Sequence, residues 1–316
     1  MKYSAHIISA SRRTDIPHYY AEWFSNRRRE GFAEYRTVYG GGKNGYFRVS
    51  LRSEDVIGYL FWTKYAGSFH DQLNKLREEK IPYVFQYTIS GYGNDVQENI
   101  PPVDKVIGDF CRVAEDLNSP EAIQWRYDPI LISNTYNKSW HLKNFEKIAR
   151  QLSGMTSVVN VSFTEPYLKI ISKAPEGEVV RWRKPYHDRH KTAVRRHSDM
   201  QFVGEEEILL LKELDAIGKA YGIDLRICCN LEYISFFPRA QCCSEDMFKS
   251  YGDELFTRVS DLPAGPSRES CACVKTVDIG MDTTCLGGCF YCYVTTNRER
   301  ALINYEMHNP QLPHLR

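Results

Sequence analysis

The chain has 316 residues, 42% of them hydrophobic, enough for a sizeable core in one large domain or two modest ones. Lys and Arg number 41 against 40 Asp and Glu, so a net charge of +1 gives no global field toward nucleic acid or a membrane. The first residues lack the apolar stretch of a signal peptide and no apolar run approaches a membrane span, which predicts a cytoplasmic protein.

Short β-rich runs alternate with longer amphipathic segments. His6 to Ala10 reads as a buried strand, and a helix through Trp23 and Phe24 then stops at Gly31. The Gly40-Gly41-Gly42 run has no phosphate-loop frame and reads as a hairpin turn. Val56 to Thr63 is a second strand, after which Ser68 is the expected cap of a helix carrying Leu73 and Leu76. Tyr83 to Ile89 is a third strand. Pro101-Pro102 opens a helix whose Val103, Val106, Ile107, Phe110, Val113 and Leu117 keep helical spacing. Ile123 to Tyr127 is a fourth strand, and a helix from Ser139 buries Leu142, Phe145, Ile148 and Leu152 before Gly154. Ser157 to Phe163, Ile223 to Cys228 and Lys275 to Gly280 are further strands, with a helix over Glu205 to Tyr221 between the first two.

This alternation predicts a parallel α/β sheet with crossover helices, as a partial or closed TIM-like barrel. Residues 1–227 would form the main body and 228–316 a cysteine-rich part completing it. If Lys275 to Gly280 lies beside His6 to Ala10, the barrel is permuted and its cluster-bearing strand comes last in the chain.

Polar residues gather where such barrels carry their chemistry, after the strands. The candidates are Arg12, Arg13 and Asp15, then Trp62 and Lys64, then Gln86, then Arg126 and Asp128. Charges inside apolar strands are costly unless paired or liganded. Arg126 and Asp128 therefore read either as an internal ion pair or as a clamp for a carboxylate or phosphate. Arg12 and Arg13 precede a helix start, where an anion also meets free N–H groups. Lys64 and Trp62 form a candidate cation–π pair. Residues 179–197 are basic and rich in aromatics, and read as a solvated face, with a lid or nucleic-acid contact as the second reading.

Nine of the ten cysteines fall between residues 228 and 292, the exception being Cys111 in a helical pattern. In a reducing compartment such clustering points to metal rather than disulfides. Cys285-Leu-Gly-Gly-Cys289-Phe-Tyr-Cys292 can turn three thiolates toward one point and leave one iron of a 4Fe-4S cluster open. Tyr291 would pack against the adenine of a bound nucleotide, and Trp62 and Gln86 are further candidate cofactor contacts. Cys228, Cys242, Cys271 and Cys273 would make a second site for a 4Fe-4S cluster or zinc, with Cys229 and Cys243 leaving the choice of ligands open.

The triplet spacing resembles the cluster loop of radical S-adenosylmethionine enzymes. The whole pattern, from Ile8-Ser9-Ala10-Ser11-Arg12-Arg13-Thr14-Asp15-Ile16-Pro17 through Phe61-Trp62-Thr63-Lys64 and Gln124-Trp125-Arg126-Tyr127-Asp128-Pro129-Ile130 to Val277-Asp278-Ile279-Gly280 and the triplet, resembles domain of unknown function 1848. That resemblance implies recurring cysteines at 228, 242, 271 and 273. More distantly, Asp128-Pro129 and the cluster loop are similar to spore photoproduct lyase. A Gly-Gly-Glu run for the S-adenosylmethionine amino group is missing. The expected activity is cleavage of S-adenosylmethionine to a 5′-deoxyadenosyl radical that abstracts hydrogen from an unknown substrate, with flavodoxin or ferredoxin as electron donor. The alternatives are a non-radical iron–sulfur or zinc protein that binds a small anion, and a nucleic-acid modification protein.

Overall fold

Seven runs of β-branched and aromatic residues pair into one sheet. They are β1 (His6–Ala10), β2 (Val56–Thr63), β3 (Tyr83–Thr88), β4 (Ile123–Ile130), β5 (Val158–Phe163), β6 (Asp224–Ile227) and β7 (Thr276–Asp278). The computed structural model describes residues 5–37, 40–42, 45–182, 201–265 and 271–315. The spatial order is β6-β5-β4-β3-β2-β1-β7, and every neighbouring pair is parallel. Read from β7, the other strands follow in chain order, as if the first strand of a sequentially wound sheet had been carried to the C-terminus. Ile7, Ile8 and Ser9 lie in register with Thr276, Val277 and Asp278. The two halves of the chain therefore share one sheet.

Each strand sends alternate residues to opposite faces. Ile8, Tyr59, Phe61, Phe85, Tyr87, Trp125 and Val161 meet Trp23, Phe24, Leu73, Phe110, Phe145 and Leu211 of the covering helices in the main core. Burying each such side chain contributes about 2 kcal/mol before chain entropy is counted. On the inner face Ile7, Ile57, Leu60, Val84 and Ala122 form a second cluster with Cys243, Met247, Phe248, Leu255 and Val259. Gly58 permits this contact, because a Cβ there would stand 2.8 Å from the Phe248 ring.

Among the described residues the sheet is open, with β6 and β7 as its edges, in place of the closed form of the expected barrel. After β6 the chain instead covers the inner face with the 3-10 segment Glu245–Tyr251 and the helix Asp253–Ser260, and only then reaches β7. Two helix starts also differ from expectation. Ser68 donates to the carbonyls of Pro17 and His18, and its helix begins at His70. Asn137, not Ser139, caps the helix Lys138–Leu152 by accepting from Trp140 N at 3.1 Å. A two-stranded antiparallel ribbon, Phe32–Tyr35 with Phe47–Ser50, flanks the glycine run. In the basic stretch, Arg181–Trp182 pairs with Gln201–Phe202, and residues 183–197 lie outside the described residues.

His141 joins the helix Lys138–Leu152 to β4 and is fully buried. The Leu131 carbonyl, 2.9 Å from Nε2, can only accept, so Nε2 carries the hydrogen and Nδ1 takes the Tyr127 hydroxyl hydrogen at 2.7 Å. Burial holds the imidazole down at about 4, against an ordinary 6.5. Between those values the unfolded chain binds a proton that the native protein does not, so stability falls as pH drops from 6.5 to about 4. The difference amounts to about 3 kcal/mol. In denaturant titrations across this window, His141→Asn is expected to lower stability near pH 7 and to flatten the slope by about one proton. An unchanged slope would contradict the assignment.

Candidate functional site

A cavity of about 340 Å³ opens beyond the C-terminal ends of the strands, and every strand end contributes to its wall. β1 leads into Arg12 and Asp15, β2 ends in Trp62 and Lys64, β4 supplies Arg126 and Asp128, and β5 supplies Ser162. The loops after β6 and β7 bring cysteines from both C-terminal sets to the same wall.

Asp278 of β7 fastens the loop after β1, whose Ser11, Arg12 and Arg13 line the cavity. Its carboxylate accepts from Ser9 Oγ (3.1 Å), Ser11 Oγ (2.8 Å), Arg12 N (2.9 Å), Gly280 N (3.0 Å) and Arg13 Nε (3.3 Å). Arg13 also donates to the carbonyls of Arg36 and Gly280 and pairs with Asp282 at 3.3 Å. It is thus a structural strap rather than an open anion clamp. Arg12 is freer, its Nε 3.8 Å from Asp278 and its side chain 40% exposed. Asp15 is buried and accepts from Thr63 Oγ1 (2.7 Å), Lys64 N (2.8 Å) and His18 N (3.1 Å). It fastens the β1 loop to the end of β2, and burial pushes its carboxyl above the usual range.

Arg126 lies over the Trp62 ring, 5.1 Å from its centroid, donates to Asp128 and reaches Cys242 Sγ at 3.2 Å. Asp128 in turn accepts from Ser162 Oγ. Burial works against the Arg126 charge, but Asp128 and the nearby sulfurs outweigh it and hold the guanidinium charged. The internal pair and the cavity wall are therefore the same residues. Trp62 donates to Ser9 Oγ at 3.0 Å. The expected Lys64–Trp62 pairing gives way to Lys64 Nζ hydrogen-bonded to Tyr291 Oη at 3.1 Å, because Arg126 already covers the indole. Gln86 is fully buried beneath the wall, where its amide donates to Gln124 Oε1 (2.7 Å) and the Cys242 carbonyl (3.0 Å).

The loop carrying Cys285, Cys289 and Cys292 is held from two sides. Thr14 and Tyr20 bond Thr284, and residues 96–99 bond the loop itself: Phe290 N to Val96 O (3.1 Å), Asn99 Nδ2 to Leu286 O (2.8 Å) and Asn99 N to Gly287 O (3.3 Å). Gly288 has φ of 64°, and a Cβ there would come 2.9 Å from Glu98 Cβ, so this turn requires glycine. A Cβ on Gly287 would stand 3.7 Å from Cys285 Sγ and 3.6 Å from Cys289 Sγ. Two thiols thus converge on space that the missing side chain leaves. Burial raises both thiols, with Asp15 adding to the effect on Cys285 and the Lys64 ammonium opposing it on Cys289. A bound cation reverses that balance by replacing the protons.

Cys228, Cys242, Cys271 and Cys273 all line the cavity, and the Cys242 amide donates to Cys273 Sγ at 3.2 Å. Cys229 Sγ adjoins Cys228 Sγ at 3.9 Å, whereas Cys243 is packed among Met247, Phe248 and Leu60. The Cys229 thiol beside Cys228 favours the Cys228 thiolate, and the Cys228 thiol favours the Cys242 thiolate. Onward donation and burial outweigh them, pushing Cys228 and Cys242 up to about 12. Among the described residues, no group of three or more His, Cys, Asp or Glu side chains is placed to hold a metal ion.

Sequence reasoning did not single out Asp278 as a site residue. The signal was present, because Asp278 stands between Val277 and Ile279 just as Arg126 stands between Trp125 and Tyr127. Replacing Asp278 with Ala removes five acceptor contacts from a side chain only 12% exposed and is expected to cost about 3 kcal/mol or more. Asp282→Ala, at a side chain 42% exposed, should stay within about 0.5 kcal/mol of wild type. Equal effects in denaturant unfolding would refute the distinction.

No helix among the described residues is long and apolar enough to cross a membrane. Comparison with curated proteins and with solved structures finds no match. Comparison with protein families matches residues 7–294, from β1 through the whole cysteine triplet, to a family described as a domain of unknown function, DUF1848. With that span covering most of its length, the chain belongs to the domain of unknown function 1848 family.

Proposed function

We propose that this protein is an iron–sulfur enzyme of the radical S-adenosylmethionine type. Cys285, Cys289 and Cys292 would hold a 4Fe-4S cluster whose fourth iron faces the cavity. The observation that carries the reading is the cradle at Gly287, where two of the three thiols converge in the loop directly after β7. When bound and reduced, such a cluster cleaves S-adenosylmethionine and supplies a 5′-deoxyadenosyl radical for hydrogen abstraction.

The chain's own residues would bind and orient. Among the described residues Lys64 has Tyr291 as its hydrogen-bond partner and no carboxylate at ion-pair distance, so its ammonium suits the carboxylate of S-adenosylmethionine. Tyr291 offers a ring beside the thiols, and its T-shaped contact with Tyr92, centroids 6.3 Å apart, holds it in place. Arg12 is the more exposed cation of the β1 loop and is suited to an anionic group on the substrate. Arg126, Asp128 and Trp62 form a preset wall whose charges are already paired, which favours positioning over proton transfer. A one-electron donor such as flavodoxin or ferredoxin would be the partner.

The test is 5′-deoxyadenosine formation by anaerobic, iron-loaded protein given dithionite and S-adenosylmethionine. Wild type is expected to release it, and Cys289→Ala to lose it by at least about 100-fold while keeping a native circular dichroism spectrum. Gly287→Ala should also fold, since its Cβ makes only ordinary contacts, yet bind several-fold less iron because that Cβ occupies the cradle. Product from Cys289→Ala at the wild-type rate would refute the role. Absence of product from iron-loaded wild type would favour the non-radical reading, a metal-bound barrel-like protein that binds a small anion.

A further inference from the structure

We infer that the segment following the third cysteine, residues 297–315, is a strap whose Asn304 and Tyr305 are positioning residues for the cysteine loop. Its consequence for metal binding rests on the proposed function, but its test is read on the metal-free chain. None of the strap falls within residues 7–294, the span matched to the family.

Two observations carry it independently. The first is the backbone directly before Cys285. Thr283 has φ of 60°, in the left-handed region that a β-branched residue adopts only when its surroundings impose it. The strap acts at this point. Asn304 Nδ2 donates to the Thr283 carbonyl at 2.8 Å. Tyr305 meets the Tyr20 ring edge-on with centroids 5.5 Å apart, and His308 does the same at 4.9 Å. Tyr20 in turn donates to the Thr284 carbonyl at 2.7 Å. The two carbonyls preceding Cys285 are thus both held, one by the strap itself and one through Tyr20.

The second is how the strap is anchored. The carbonyls of Pro310, Gln311, Leu312 and Pro313 each accept a donor, although this stretch belongs to no strand or helix. Asn26 Nδ2 serves Pro310 (3.0 Å), Arg27 serves Gln311 (2.8 Å), Trp23 Nε1 serves Leu312 (2.9 Å) and Glu34 N serves Pro313 (2.7 Å). Trp23, Arg27 and Leu315 are fully buried. The helix Arg298–Glu306, which carries Asn304 and Tyr305, is different. It buries only Ala301 and leaves Leu302 50% and Ile303 42% exposed. Apolar burial therefore contributes little to its placement. The anchored tail behind it and its contacts with the loop set its position.

The order of these parts gives the strap its role. The helix Ala21–Glu30, packed in the main core through Trp23 and Phe24, is the fixed support. The tail docks on it, and the helix ahead of the tail reaches back to the loop. Releasing the Thr283 carbonyl would let that residue relax out of the left-handed region and draw Cys285 away from the Gly287 cradle.

The test is the alkylation rate of each cysteine in the reduced, metal-free full chain, read by iodoacetamide pulses and peptide mass spectrometry. In Asn304→Ala and Tyr305→Ala we expect Cys285 and Cys289 to react at least about five-fold faster than in wild type, with Cys111 and Cys243 unchanged. Tyr305→Phe keeps the ring and should stay within about two-fold of wild type, as should Leu302→Ala on the exposed face. Unchanged rates at Cys285 in both alanine variants would overturn the inference. A parallel rise at Cys111 and Cys243 would also overturn it, because the whole fold would then have loosened. The expected alkylation pattern in proteins that take up no iron would overturn the proposed function and leave the strap in place.

Discussion

Asp278 is the constraint on which the arrangement depends. Its carboxylate gathers two serine hydroxyls, two backbone amides and a guanidinium from the end of β1 and from its own strand. A half-buried charge this well supplied with donors is favourable, whereas the same charge left short of them is costly. The consequence is positional. A three-residue edge strand, too short to hold itself by ladder bonds, is fixed against β1, and the loop that follows it must run across the mouth of the sheet. Thr14, Tyr20 and Asn99 then hold that loop where the cysteine triplet faces the cavity.

Burial sets the chemistry of the thiols. Cys285, Cys289, Cys228 and Cys242 are all held protonated above the ordinary thiol range, so the folded chain resists bare thiolates in this cavity. A metal bound there would overcome that resistance by displacing protons with its own charge. The cations nearby are placed unequally. Lys64 opposes the rise at Cys289, and Arg126 touches the sulfur of Cys242, so each cysteine set has one basic residue beside it. Both sets open on the same cavity.

Much of this was legible in the sequence because it is local. Short β-rich runs mark the strands from His6 to Asp278, and Gly31 ends its helix through the left-handed backbone that glycine favours. The pairing of Lys275–Gly280 with His6–Ala10 followed from strand counting, and Thr276 to Asp278 indeed lie in register with Ile7 to Ser9. What was not legible depends on partners far along the chain. Arg13 finds Asp278 and Asp282 across more than 260 residues, which turns an apparent anion clamp into a strap. Gln86 finds Gln124 in the register of the next strand and the Cys242 carbonyl above it. Closure of the sheet has no sequence signature either, since strand alternation reads the same in an open sheet and in a barrel. It was decided by Glu245–Tyr251 and Asp253–Ser260, two short elements that occupy the inner face.

The central claim is that an iron with an open position sits at the mouth of this sheet, within reach of Lys64 and Tyr291. It is tested most directly by electron paramagnetic resonance of the anaerobic, dithionite-reduced protein, recorded with and without S-adenosylmethionine. To isolate one signal, the protein would carry Cys242→Ser and Cys273→Ser. The account predicts a reduced 4Fe-4S signal whose g-values shift when S-adenosylmethionine is added. A signal that does not move with saturating S-adenosylmethionine, or a protein that takes up zinc and no iron, would contradict it.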